Sequence, residues 1–279
     1  MKLSQARLAL LLLTVLVTSS GCGVINRIRA KNELNEAART YREGHFAEAE
    51  QHSRRAMELD PNNKTAPSFV ARTIHAQYKP GNDEPENVNR AREAITAYKG
   101  MLDKDPGNDE AYKAIAALYG AINEDEQQRQ WIMQRAGKEG FDPTKRAEAY
   151  TVLASKDWNC SYQITELPAS KTVTPQGKIV YKKPANQTDY DNAQRCVARG
   201  MEEADNAIKY DPSNESAWSY KTNLLLESAK LAEMDGKNED KDKFTKQANE
   251  AQTKTTQLSE ENQKKKAAEE QKSASPPTS

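Results

Sequence analysis

The chain has 279 residues, of which 36% are hydrophobic, 29% charged and only 6% aromatic, with a mean hydropathy of −0.94. So polar a composition excludes one large compact core and favours elongated helical layers with thin cores between neighbours. Lys plus Arg equal Asp plus Glu at 41 each, so no strong overall field points to nucleic acid or anionic lipid.

Residues 1–21 differ from the rest. Lys2 and Arg7 flank the start of "LALLLLTVLV", Leu8 to Val17, and small residues then lead to "TSSGC". A basic start, a short apolar run and a small-residue exit make a secretory signal. The run falls short of the roughly 20 residues that span a bilayer. Removing Lys2 and Arg7 with this leader leaves 39 basic against 41 acidic residues, a net charge of −2. "SSGC" resembles the lipobox of bacterial lipoproteins, in which the cysteine is acylated and becomes the N-terminus. Ser20 and Gly21 match that pattern, whereas Ser19 stands where leucine is usual. The resemblance implies lipid attachment at Cys22. Gly23 stands where aspartate would imply retention at the inner membrane, so outer-membrane delivery facing the periplasm is expected. Residues 22–29 are expected to be a linker from the anchor.

From Ala30 to Asn63 the chain reads "AKNELNEAARTYREGHFAEAEQHSRRAMELDPNN". Helix-favouring residues run to Arg42, and Gly44 supplies a stop. Phe46, Ala49, Ser53 and Ala56 then recur at helical spacing, with Leu59 before the proline. Two antiparallel helices that touch through small residues explain the pattern. The Asp-Pro pair of "ELDPNN" returns at Asp105-Pro106, Asp142-Pro143 and Asp211-Pro212, which reads as four segment ends. These 34 residues resemble the tetratricopeptide repeat, W-x2-L-G-x2-Y…A-x3-F…P. Ala37 stands at its small position, Ala49 at its alanine and Pro61 at its proline, while Glu33 and Ser53 replace its aromatics. A degenerate first unit suits an N-terminal cap.

Later segments match in part. Tyr112, Ile115, Ala116 and Tyr119 give the fullest first-helix match, Tyr150, Leu153 and Ala154 repeat it, and Trp218 supplies the family tryptophan, with Lys221 where leucine is expected. Second helices keep Ala94, Tyr98, Ala204 and Ala207. A helix from Glu239 to about Lys266, with Phe244, Ala248 and Ala251, closes the array. The resemblance thus implies an all-α, right-handed superhelical solenoid of about five units over 30–261. The Asp-Pro intervals of 45, 37 and 69 residues all exceed 34, so each carries an insertion. The largest, 159–189, is expected to form a β-hairpin from "SYQIT" and "KIVYK". Residues 262–279, too poor in apolar residues to bury, are expected to be a disordered tail.

No catalytic constellation emerges. His45, His52 and His75 lack companions at zinc-site spacing, and no phosphate loop, H-E-x-x-H or G-x-S-x-G occurs. A non-enzymatic chain without cofactor is expected. The repeat resemblance implies a groove lined by first helices that holds proteins or peptides of the cell envelope, with Tyr41, Arg42, Arg72, His75, Lys113 and Asn223 facing it. Leu34, Ala38 and Ser68 stand where relatives that clamp a C-terminal carboxylate carry Lys or Asn, which argues against that ligand. The alternatives to a general scaffold are an accessory role in one envelope machine, for pilus biogenesis or outer-membrane protein assembly, and, remotely, an unrecognised enzyme. Export to an oxidising compartment, with Cys22 lipidated, leaves Cys160 and Cys196 to form a disulfide. It would join the end of one helix to the start of its antiparallel partner.

Overall fold

The computed structural model describes residues 23–274; the leader and Cys22 lie outside them. Within this range ten α-helices follow one another: α1 (23–42), α2 (Phe46–Leu59), α3 (Ala66–Gln77), α4 (Pro85–Lys104), α5 (Asp109–Ala121), α6 (Asp125–Ala136), α7 (Pro143–Thr165), α8 (Gln187–Tyr210), α9 (Glu215–Met234) and α10 (Asn238–Ala274). They make five successive tetratricopeptide-like helix pairs. The chain divides into two compact units, one ending at Gln128 and the other starting at Arg129.

The recurring Asp-Pro is one half of a longer device, Asp-Pro-x-Asn-x-x-Ala. Asp60, Asp105 and Asp211 are the C-caps of α2, α4 and α8, each giving its N–H back to the last helical turn. Proline at the next position has the φ that a turn needs there. The turn closes when the N–H of Asn63, Asn108 or Asn214 donates to the carbonyl of the aspartate, at 2.9, 3.1 and 3.1 Å. Each asparagine then accepts, through Oδ1, the N–H of Ala66, Ala111 or Ala217 at the start of the next helix. These alanines are fully buried. One motif ends a helix, turns the chain and caps the next helix. Asp142-Pro143 works differently: Asp142 is the N-cap of α7, accepting from Thr144 N–H at 2.8 Å. This third pair therefore opens a helix and does not end one.

Small residues let the helices approach. In the first unit Ala30, Ala56 and Ala66 meet, flanked by Leu34, Met57 and Leu59. In the second, Ala154, Ala204 and Leu224 pack with Trp158, Met201 and Tyr220, and Leu225, Ala248 and Ala251 hold α10 on α9. Gly200 of α8 marks a close approach between helices: a Cβ there would come within 2.7 Å of Leu224 Cδ2 and 3.1 Å of Asp157 Cβ.

Three expectations change at the edges of elements. Residues 23–29 are the first turns of α1 and not a linker. "SYQIT" is the last turn of α7, so the departure from helix is confined to 166–186. Within it, a 3-10 turn (Pro168–Ser170) leads to β1 (Lys171–Val173), paired antiparallel with β2 (Ile179–Tyr181) in the register Thr172 to Val180. The hairpin exists, but its first strand lies ten residues later than β propensity suggests. Helix formation by "SYQIT" places Ser161 and Thr165, four residues apart, on one face where both donate to Glu227 of α9 at 2.8 Å. Finally, α10 continues through 262–274, where disorder was expected, because Gln, Lys, Ala and Glu are strong helix formers even without an apolar face. Cys160 and Cys196 are disulfide-bonded with Cα atoms 6.1 Å apart. Since α7 runs on to Thr165, the bond joins two helix interiors.

Candidate binding groove

The first helices of the first three pairs, all in the first unit, line an open groove of about 820 Å³. Helix α1 contributes Tyr41, α3 contributes Arg72, His75 and Ala76, and α5 contributes Lys113, Ala114, Ala117 and Leu118. Tyr78 and Tyr98 close its sides. This follows from helical period: Arg72, His75 and Ala76 of α3, and Ala114, Ala117, Leu118 and Ala121 of α5, recur at intervals of three and four, so each set lines one face.

Four of the six sequence-expected groove residues thus come together: Tyr41, Arg72, His75 and Lys113. Arg42 is exposed outside the groove at the end of α1, and Asn223 is half-buried on α9 in the second unit. Each cation of the groove is matched by an acid. Arg72 lies 3.8 Å from Glu110 and Lys113 lies 2.8 Å from Asp109. His75 stands edge-on to Tyr98, with Nδ1 3.2 Å from the hydroxyl. Burial pushes the His75 imidazole below its ordinary range. Burial, helped by Glu110, pushes Tyr98 up to about 12. Tyr78 donates to the Ala121 carbonyl at 2.9 Å, fixing the loop after α3 against the end of α5. The result is a near-neutral wall of alanines between two charged pairs.

Sequence reasoning missed three other features. On the faces of α2, α3 and α4, a second groove of about 640 Å³ has Met57, Val70, Ile74 and Ala97 at its floor and Arg54 and Lys104 at its rim. In the second unit, buried Asp157 and Glu203 share Arg129, and Arg199 donates to Asp157 at 2.7 Å. Glu166 accepts from Lys171, Lys230 and Tyr181. Burial raises the Glu166 carboxyl, but these three bonds outweigh it and hold the group down at about 2. These partners come from distant parts of the chain, so no local spacing announces them. Among the described residues, no group of three or more His, Cys, Asp or Glu is placed to hold a metal ion.

Neither a family model nor a curated protein matches the chain. Several solved structures align along most of it. MamA from Desulfovibrio magneticus RS-1 does so with a TM-score of 0.38 and 15% identity, over 84% of this chain and 96% of that one. A double mutant of RS-1 MamA gives a TM-score of 0.43 with the same identity and coverage. A tetratricopeptide repeat protein from Parabacteroides merdae gives 0.35 and 12% identity, over 82% of this chain and 97% of that one. At such scores the fold stands on the helix pairing and the capping turns themselves.

Proposed function

We propose that this protein is a non-catalytic adaptor of the bacterial cell envelope, held at the outer membrane by a lipid on Cys22 and facing the periplasm. It binds a segment of another protein in the groove of its first unit. The observation that carries the binding role is the groove itself, formed by three consecutive first helices around an alanine wall. Small side chains leave room for a bound backbone, and the Arg72–Glu110 and Lys113–Asp109 pairs offer polar contacts at the margin. The envelope placement is supported by the short apolar leader ending in "SSGC" and by a disulfide, which suits an oxidising compartment.

A photo-crosslinking residue at Lys113, compared in living cells with one at exposed Arg55 on α2, tests the binding role. Lys113 is expected to capture a discrete partner, and Ala117→Trp, which fills the groove from an exposed position, should abolish that adduct. Adducts that are the same from both positions and insensitive to Ala117→Trp would overturn the proposal.

A further inference from the structure

Helix α1 begins with a surface that the rest of the fold leaves uncovered. Val24, Ile25 and Ile28 are 57%, 51% and 58% exposed. At about 100° per residue they share one sector of the helix. Ala30, Leu34 and Ala37, the side that packs inward, lie on the opposite sector. Arg27 and Lys31 border the apolar sector on one side and Arg29 on the other. All three are exposed, none takes part in an ion pair among the described residues, and the first acid of the helix is Glu33. Further along the same sector stand Asn32, Asn35 and Arg39, so the apolar surface ends after two turns.

We propose that the first two turns of α1 lie in the surface of a bilayer rich in anionic headgroups. Val24, Ile25 and Ile28 insert at the boundary between acyl chains and headgroups, and Arg27, Arg29 and Lys31 reach the phosphates. A patch of two turns, roughly 10 Å long, is small for a protein interface but sufficient for shallow insertion. Cations on both borders, with no acid among them, complement an anionic surface. The inference builds on the lipid anchor proposed above: α1 is helical at Gly23, next to Cys22 in the chain, so an acylated Cys22 would bring this sector to the membrane. The anchor then meets a rigid helix, and the contact fixes how the first unit stands on the surface.

The test uses the full chain, matured in cells, purified from membranes and reconstituted into vesicles of phosphatidylethanolamine with or without phosphatidylglycerol. An environment-sensitive fluorophore is placed on Ile28→Cys, with Lys64→Cys as a control in the turn after α2. In vesicles containing phosphatidylglycerol the label at 28 should shift to the blue and lose several-fold in quenching by aqueous iodide, while the label at 64 stays in water. Replacing Arg27, Arg29 and Lys31 with Glu should reverse the shift. A label at 28 that remains fully quenched while the protein floats with the vesicles would overturn the inference and leave the anchor intact. Shielding that is equal without vesicles would also overturn it, because a second copy or another protein would then cover the face. A free, alkylatable Cys22 in the unlabelled wild type would remove the anchor alone. The inference would stand if the label at 28 still entered the anionic vesicles.

Discussion

The residues under most electrostatic tension are Asp157 and Glu203, two buried carboxyls on neighbouring helices. Burial pushes the Glu203 carboxyl above its usual range, and the charge of Asp157 pushes the same way, while Arg129 and Arg199 pull it down. Arg129 comes from α6, Asp157 from α7, and Arg199 with Glu203 from α8, whereas α9 presents Leu224 nearby. An acid whose pKa is raised by folding stabilises the fold while it stays protonated. That contribution is complete below the unfolded value and is lost as pH rises through the folded one. Glu166 and Asp235, both held low, have the opposite sign: their contribution is lost only in acid, below the ordinary carboxylate range. Glu203 should therefore make the second unit less stable at about pH 8.5 than at about pH 5. Glu203→Gln, which cannot ionise, should melt with a flatter pH profile and exceed wild type on the alkaline side. Parallel profiles for the two proteins, measured by circular dichroism, would refute this assignment.

Among the elements, the hairpin is fastened to its neighbours. Tyr181 of β2 donates to Glu166 at 2.9 Å, Lys230 of α9 bridges Glu166 and Glu227, and Lys183 pairs with Asp235 at 2.7 Å. Glu227 is 1% exposed and depends on Ser161, Thr165 and Lys230 for all its partners. Excising 163–183 would remove Thr165 and leave a buried carboxylate with fewer donors. Excising the excursion is therefore expected to destabilise the second unit. The double variant Ser161→Ala/Thr165→Val should cost about 2–6 kcal/mol in urea unfolding, since each of the two buried charged acceptor bonds lost costs about 1–3 kcal/mol. Shortening the exposed tip between Thr174 and Lys178 should cost under about 1 kcal/mol, as for surface changes away from packing. Equal effects of the two changes would show that the network does not fasten the hairpin. The Cys160–Cys196 bond spans 36 residues around the same excursion. On the chain-entropy model a loop of this length is stabilised by about 4 kcal/mol at most, so reduction should lower the melting temperature without removing the helices.

For the molecule as a whole, the first question is attachment. Cys22→Ala is expected to leave unprocessed precursor or soluble protein, and fractionation of cells reads this directly; a matured variant that still sits in the membrane would discard the lipid. The helix pairs were legible in the sequence because they rest on local rules. A helix repeats every 3.6 residues, and an Asp-Pro-x-Asn turn needs only its own atoms. Tyr41, Arg72, His75 and Lys113, which the repeat resemblance implies for a groove, line the groove of the first unit, whereas Arg42 and Asn223 do not. Whole-chain neutrality, by contrast, concealed the cations at 27, 29 and 31, because an average over 279 residues cannot register two turns of one helix. The true limits of the hairpin, the Glu227 network and the Asp157–Glu203 pair were decided only by tertiary structure. Their partners are brought together by packing across α7, α8 and α9, and burial there sets which polar groups must be paired. Local propensity favours a strand at "SYQIT"; in the fold it is helix, which sets Ser161 and Thr165 on one face against buried Glu227.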